Sequence, residues 1–432
     1  AMDAFSDCNH LENITGGYRV SEVGWYAFDS CVNLKNMDIG MGLKKIDAAF
    51  ERCRSLRKIC LSNKIEDING GAFSEGACKE FSVEDGSESY KSIDGCLYKI
   101  VDSEKDNLKL MYAANTTDFK YATPENVTEA DMCAFRGRDN IKEIDIGGEI
   151  EELSWYSLIN CSNLETLKLS SKLKSFDRDM TAYSFDNDLT NLKNIIVDEG
   201  NTEYESYNNE LFEKGKKNLI LLPYGSDSIV IPKETEYICG GIAKNKFKNI
   251  KVEDGNKYFS VNSNVLYNKD ITEIIIFPSY KTTYTLPATL KEFPSMTYRY
   301  TEDYLDIEGE AWITRADENL ECVKVAKGNE VYKAVDGVLY LKNTKQLEYY
   351  PPAKKGSYKI IEGTKYVNNA AFIYTKYLTS LTVPDSVKSI IISPKDSESL
   401  KEITVPVKCE VIKMTKREGS GVKVYRSLVL KC

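Results

Sequence analysis

The chain has 432 residues, 42% of them hydrophobic, with a formal net charge of -9 and a pI near 5.2. That is enough apolar chain for a large core, whereas the acidic balance and the absence of any Lys/Arg-rich arm argue against nucleic-acid binding through phosphates. No run approaches 18 apolar residues, so no membrane insertion is expected; 12 cysteines without C-x-x-C, beside the single His10, offer no zinc pattern and no base for a hydrolase triad.

The first elements repeat. Ala4 opens "AFSDCNHLENI", Ala27 opens "AFDSCVNLKNMDI" and Ala49 opens "AFERCRSLRKI". Leu11, Leu34 and Leu56 lie 23 and 22 residues apart, and Cys78 takes the same place another 22 on. The template is L-x-x-I-x-V, then apolar residues four and seven positions later, then A-F-x-x-C. It recurs at Leu34-Met37-Ile39, Leu56-Ile59-Leu61, Ile141-Ile144-Ile146, Leu164-Leu167-Leu169 and Leu192-Ile195-Val197, and again at Phe247, Leu320, Leu378 and Leu400. A period of 20–29 residues with this signature predicts a leucine-rich-repeat solenoid. The I-x-V pair has a strand's period of two, and a coil that cannot bury its own apolar residues must stack on the next. Spacings of three, four and seven would also suit helical faces, but the period-two core and the Pro residues within the pattern count against helices.

The repeat assigns places to its Phe and Cys residues. Phe5, Phe28, Phe50 and Phe73 are expected to stack on the side opposite the sheet, with Cys8, Cys31, Cys53 and Cys161 as a second ladder beside them. Parallel stacking aligns their Cβ vectors, which favours buried free thiols over disulfides.

A longer unit intervenes four times: "VEDGSESYKSIDGCLY" from Val83, "VDEGNTEYESYNNELF" from Val197, "VEDGNKYFSVNSNVLY" from Val252 and "VAKGNEVYKAVDGVLY" from Val325. Each runs on to a second apolar segment, such as "NLILLPY" or "QLEYYPP", which reads as an inserted β-hairpin. Tyr90, Tyr98, Tyr204, Tyr207, Tyr224, Tyr258, Tyr267, Tyr332, Tyr340, Tyr349 and Tyr350 gather in these units, where hairpin cores and protein contacts both favour Tyr. The template weakens at 176–191 and 294–320, where a degenerate coil or local insertion is expected. "FDNDLTN" from Phe185 lacks the Gly and Glu of a calcium loop and reads as an ordinary loop. The sequons at Asn13, Asn115 and Asn126 would matter only in a eukaryotic secretory pathway.

The alternation of "AFxxCxxLxxI" units with "GNxxYxSxDGVLY…" units resembles the BspA-type leucine-rich repeats of bacterial cell-surface proteins, over nearly the whole chain. The resemblance implies an extracellular or cell-surface adhesin or host-interaction protein without catalysis or cofactor, and an extracellular or host protein as partner.

The expected fold is therefore a β-rich α/β repeat solenoid: a leucine-rich-repeat arc with a parallel sheet on its concave face, short helical or 3-10 turns on its convex side, and inserted hairpins. Residues 1–405 are read as one continuous solenoid with longer repeats starting near 83, 197, 252 and 325, and 406–432 as a cap or the end of the last repeat. "AMDAFSDC" begins inside a repeat, so the natural start and any signal peptide are expected upstream. A monomer is expected. The default contact surface is the exposed strand face, read from the spacers around the central I: Asn36, Asp38, Lys58, Glu80, Glu143, Asp145, Thr166, Lys168, Asn249, Lys251, Lys324, Thr382 and Glu402. Two other readings stay open: a structural stalk that displays other modules, and a carboxylate-based glycosidase.

Overall fold

The computed structural model describes residues 2–17, 19–39, 42–69, 71–116, 119–177, 189–239, 247–278, 280–293, 297–300, 305–308, 318–372, 375–392, 399–413 and 423–427. The chain divides into two compact units, Ala1–Tyr224 and Gly225–Cys432. The calcium-like loop at Phe185 and most of 176–191 lie outside the described residues.

In the first unit, the L-x-x-I-x-V cores become short strands that pair in parallel with the same core of the next coil. Ile14 lies opposite Met37, Ile59 opposite Phe81, and Leu61 opposite Val83. Phe119–Ala122, Ile141–Ile146, Thr166–Leu169 and Asn194–Val197 form a four-stranded parallel ribbon. Its inward residues Ile144, Leu167 and Ile195 are stacked in register and at most 1% exposed. A strand bonds its backbone to both neighbours, and its alternate side chains face the interior. The apolar residues four and seven later form a second parallel track, Glu22–Val23, Lys45–Asp47 and Asp67–Asn69.

Opposite the ribbon, the phenylalanine rings stack as the repeat predicts. Centroids of Phe5, Phe28, Phe50 and Phe73 are 5.1, 5.2 and 5.7 Å apart, and neighbouring planes are within 10° of parallel. The thiols of the neighbouring ladder form no disulfide. Cys31, Cys53 and Cys161 each donate to the carbonyl of the preceding coil's Phe5, Phe28 and Phe135, at 3.1, 3.2 and 3.0 Å. Burial pushes Cys53 up to about 12, so it stays a thiol and keeps its donor.

The α/β character and the helical convex turns are the part of the expectation that changes. Among the described residues the only helical pieces are 3-10 turns at Trp155–Leu158 and Lys214–Lys216. Each early A-F-x-x-C segment is instead a run of turns with one residue in the left-handed region, Asp7, Ser30, Arg52 or Glu75, at φ 54–58°. Such a residue ends any helix after one turn.

All four longer units contain hairpins. In the first unit these are Tyr90–Ile93, Cys96–Asp102 and Asn107–Tyr112, then Tyr204–Tyr207, Glu210–Glu213 and Asn218–Leu221, antiparallel throughout. Their two-residue turns, Asp94-Gly95 and Asn208-Asn209, have positive φ at both positions, the geometry that matches strand twist in tight hairpins.

The second unit repeats the scheme. Ser228–Ile231 pairs in parallel with Asn249–Val252, and Thr283–Leu286 with Cys322–Val325. Gly356–Lys359, Leu378–Thr382, Glu402–Pro406 and Lys423–Ser427 form a four-stranded parallel ribbon. Its last strand lies in the segment read as a cap. Hairpins Phe259–Asn262 with Val265–Asn268, and Tyr332–Val335 with Val338–Leu341, turn at Ser263-Asn264 and Asp336-Gly337. Within 294–320, Thr297–Tyr300 and Leu305–Glu308 form an antiparallel pair.

Three of the four hairpins are tied down by a buried Asn that the repeat template does not single out. Asn329 is 1% exposed, and its Nδ2 donates to the carbonyls of Pro287 and Leu290 at 2.8 and 3.0 Å. Its Oδ1 accepts the N–H groups of Val331 and Tyr332 at 3.0 and 2.7 Å. Asn201 and Asn256 make the same four bonds in their units. The first copy has Ser87 there, which only accepts from Tyr90 N–H at 3.2 Å. The amide thus joins one coil to the hairpin of the next with all its hydrogen-bonding capacity used.

Candidate interaction surface

The exposed strand face exists where the spacing placed it, because inward I and V force their neighbours outward. Asn36, Asp38, Lys58, Glu80, Asn249, Lys251, Lys324 and Glu402 are exposed, while Glu143, Asp145, Thr166, Lys168 and Thr382 are half-buried. The structure brings them together in register within each ribbon segment. Lys58 faces Glu80, Glu143 faces Thr166, Asp145 faces Lys168, and Lys359 faces Thr382.

Adjacent coils place opposite charges side by side in the first unit. Lys58 pairs with Glu80 at 2.7 Å. Glu143 sits between Lys120 at 3.0 Å and Lys168 at 2.5 Å, and Lys168 also lies 3.6 Å from Asp145. Hydrogen bonds from the two lysines hold the Glu143 carboxyl below its ordinary range. Asn36 donates to Asn13 at 2.6 Å and Asn194 to Thr166 at 3.3 Å. Exposed ion pairs contribute little stability, about 0–1 kcal/mol. Here they leave the charges on the first unit's ribbon strands largely self-neutralised, four lysines against four carboxylates.

The ribbons are interrupted where a hairpin folds back. Phe81 N–H donates to Gly95 in the first hairpin's turn and Val323 N–H to Gly337 in the fourth, both at 2.9 Å. Ile250 N–H donates to Asn264 Oδ1 at 2.7 Å. The hairpin tip satisfies a donor on a ribbon strand's edge and stands beside the ribbon face.

The insertion tyrosines divide into two groups. Tyr90, Tyr98, Tyr204, Tyr267, Tyr332, Tyr340, Tyr349 and Tyr350 are buried, while Tyr207 is half-buried and Tyr224 and Tyr258 are exposed. The buried hydroxyls bond to one another or to backbone. Tyr267 meets Tyr284 and Tyr340 meets Tyr358 at 2.6 Å, with Tyr98 and Tyr121 at 3.4 Å. Tyr90, Tyr204 and Tyr332 accept the N–H of Ile68, Phe176 and Phe293 at 2.8 Å. These rings are packing, and burial raises the hydroxyl pKa values of Tyr90, Tyr98, Tyr267, Tyr332 and Tyr340.

Ionisable groups away from the ribbon also serve the scaffold. Asp29 and Glu75 are clamped by Arg52 and Arg136, each at 2.5 Å, with Glu51 between the two arginines. Arg138 is fully buried at the place where other coils carry the ladder cysteine. Its guanidinium donates to the carbonyls of Phe73, Gly76 and Ala113. Sequence reasoning missed it, although its position three before Ile141 was the signal.

The profile of the BspA type leucine rich repeat region matches in 6 copies, over residues 1–99, 112–218 and 354–416. The chain belongs to this family. The BspA-type chain is also similar to a leucine-rich repeat protein from Eubacterium ventriosum, at 14% identity and TM-score 0.38, covering 95% of this chain and 85% of that one. It is similar to the pneumococcal vaccine antigen PcpA at 16% identity and TM-score 0.28, covering 79% of this chain and 88% of that one. A leucine rich cell surface protein from Faecalibacterium prausnitzii shows 13% identity and TM-score 0.32, with 77% and 97% covered. At these scores the likenesses add nothing to the assignment, which rests on the family profile. No curated protein matches.

Proposed function

We propose that this BspA-type protein works without catalysis as an interaction protein of a bacterial cell surface, binding extracellular or host proteins and serving adhesion. The observation that carries this reading is the ribbon face itself. Coil after coil presents polar side chains at fixed offsets, with hairpin tips standing beside them, on a scaffold in which Asn201, Asn256, Asn329 and Arg138 hold coils together from within. Buried Cys53 and Tyr267 have raised pKa values and bonded partners, the opposite of an activated nucleophile. Glu210 is buried with a carboxyl raised to about 7, but burial alone raises it. A glycosidase pairs its raised carboxyl with a second carboxylate within about 5–10 Å, whereas burial accounts for the shift here.

The self-neutralised ribbon of the first unit favours a second role for that unit, as a spacer for what it carries. The test of binding is a panel of purified matrix proteins and mucins presented to the immobilised chain. Saturable binding to at least one supports adhesion; none above background removes it. Surface labelling of intact cells that failed to reach the protein would remove the location.

A further inference from the structure

The two units dress the same strand positions differently. In the first unit, ribbon lysines Lys58, Lys120 and Lys168 each meet a carboxylate on the ribbon. In the second unit the six strands from Ser228–Ile231 through Leu378–Thr382 read SIVI, NIKV, TYTL, CVKV, GSYK and LTSLT. They contain three lysines and not one Asp or Glu, in a chain whose net charge is -9. The first ribbon carboxylate is Glu402, beyond them.

All three lysines occupy one offset, the spacer between I and V, and all are exposed. Their partners in register are Val230 for Lys251, Thr285 for Lys324 and Thr382 for Lys359. Lys251 and Lys324 make no ion pair among the described residues. Among the described residues Lys359 has only Glu362, 3.4 Å away on an exposed turn. Around them the face carries donors without charge: Ser228, Asn249, Thr283, Ser357 and Ser380.

An aromatic stands at the rim. Tyr280 is 48% exposed, yet its hydroxyl is fixed by Asn264 Nδ2 at 2.8 Å. The same Asn264 bonds Ile250 N–H and Lys248 C=O on the ribbon strand. A large side chain already held in place loses little freedom on binding, which is what makes Tyr effective in contacts.

We propose that the second unit's ribbon receives an acidic, extended segment of a partner protein, with Lys251, Lys324 and Lys359 meeting its carboxylates and Tyr280 as the anchor at the rim. This rests on the interaction role proposed above and names the chemistry of the partner. Charge complementarity of this kind acts on encounter and register and weakens with salt.

The test uses the full chain and a fluorescein-labelled peptide of repeated Glu-Ser, read by anisotropy. The wild type is expected to bind saturably and to lose affinity as salt rises. The triple variant Lys251→Ser, Lys324→Thr, Lys359→Ser is expected to bind at least about tenfold more weakly, and Tyr280→Ala more weakly at unchanged salt dependence. The control Lys64→Ser, Lys172→Ser, Lys174→Ser, three exposed lysines of the first unit outside its ribbon strands, removes the same charge and is expected to bind as the wild type does. Absence of binding, or equal binding by the triple variant, overturns the inference. So does lysine-dependent binding of heparin oligosaccharides with none of the peptide, which would make the ligand a sulfated sugar. A chain that captures a matrix protein equally well with and without the three lysines overturns this inference alone. One that binds the acidic peptide but nothing in the panel overturns the adhesive role alone.

Discussion

Tyr267 and Tyr284 show how a polar group is kept inside this protein. Each hydroxyl is the other's partner at 2.6 Å in a buried site, and the fourth longer unit repeats the arrangement with Tyr340 and Tyr358. In the second copy the same two sequence positions hold Phe212 and Ile229, so both hydroxyls are absent together. Leaving one buried hydroxyl alone costs more than removing both. Tyr284→Phe should therefore cost roughly 1–3 kcal/mol, while the double change Tyr267→Phe, Tyr284→Phe should cost under about 1 kcal/mol. Urea unfolding of the two single variants and the double variant checks this; additive losses would contradict it. Glu210 is the opposite case. It is 7% exposed and its Oε2 has no hydrogen-bond partner, at a position where the other copies carry Cys96, Val265 and Val338. Burial lifts its carboxyl from 4.5 to about 7. The folded state thus holds a proton that the unfolded state releases. The stability linked to it is complete below about pH 4.5 and is lost as pH rises through about 7, a difference of ~3 kcal/mol. Glu210→Val should abolish that part of the slope and stabilise the chain at about pH 8 while changing little at about pH 4. Unfolding midpoints that fall equally with pH in both proteins would count against it.

At the scale of elements, the hairpin is the unit that departs most from the simple repeat, and a single amide secures it. Asn329→Ala removes two donors' and two acceptors' worth of bonding from buried backbone. It should cost roughly 2–4 kcal/mol. Asn329→Ser should recover part of this, because Ser87 in the first copy still accepts from Tyr90 N–H. Exchange of the Val331 and Tyr332 amides should accelerate first; protection there that survived the Ala change would sink the idea. The hairpins were legible in the sequence, since apolar runs flank Asp-Gly, Asn-Asn and Ser-Asn pairs. The Asn hub was legible too, as G-N in three of four copies, but a conserved-looking polar residue beside Gly reads first as turn chemistry. Arg138 was harder. Composition marks Arg as a surface residue, and only its register with the thiols betrays a buried role. The expected helical turns failed because nothing in A-F-x-x-C states that Arg52 or Glu75 must take a left-handed φ.

For the molecule as a whole, contacts within each unit run from coil to neighbouring coil, so the free energy is close to a sum of local terms. Phe50 is 1% exposed between Phe28 and Phe73. Phe50→Ala should cost about 3–5 kcal/mol and speed hydrogen exchange in the coils around residues 28–81. The Thr166–Leu169 strand of the same unit should be affected least. Uniform acceleration throughout Ala1–Tyr224 would show a single cooperative core instead. The repeat period made this architecture readable from sequence alone, because stacking buries the repeated inward positions such as Ile59, Ile144, Leu167 and Phe50 together. The face that meets a partner was less readable, since its spacers need only be soluble to satisfy the fold.

The substitution of a guanidinium for a thiol at Arg138 has its own consequence. Cys161 reaches back 26 residues to Phe135, whereas Arg138 reaches back 65 to Phe73, clasping the coil on the far side of the first hairpin unit. Gly137 makes the closure possible: a Cβ there would stand 2.2 Å from Glu75 Cα. One longer donor and one trimmed side chain thus mark the seam where a whole excursion of chain branches off between coils that remain neighbours, with Glu75 N–H donating to Arg136 C=O across it.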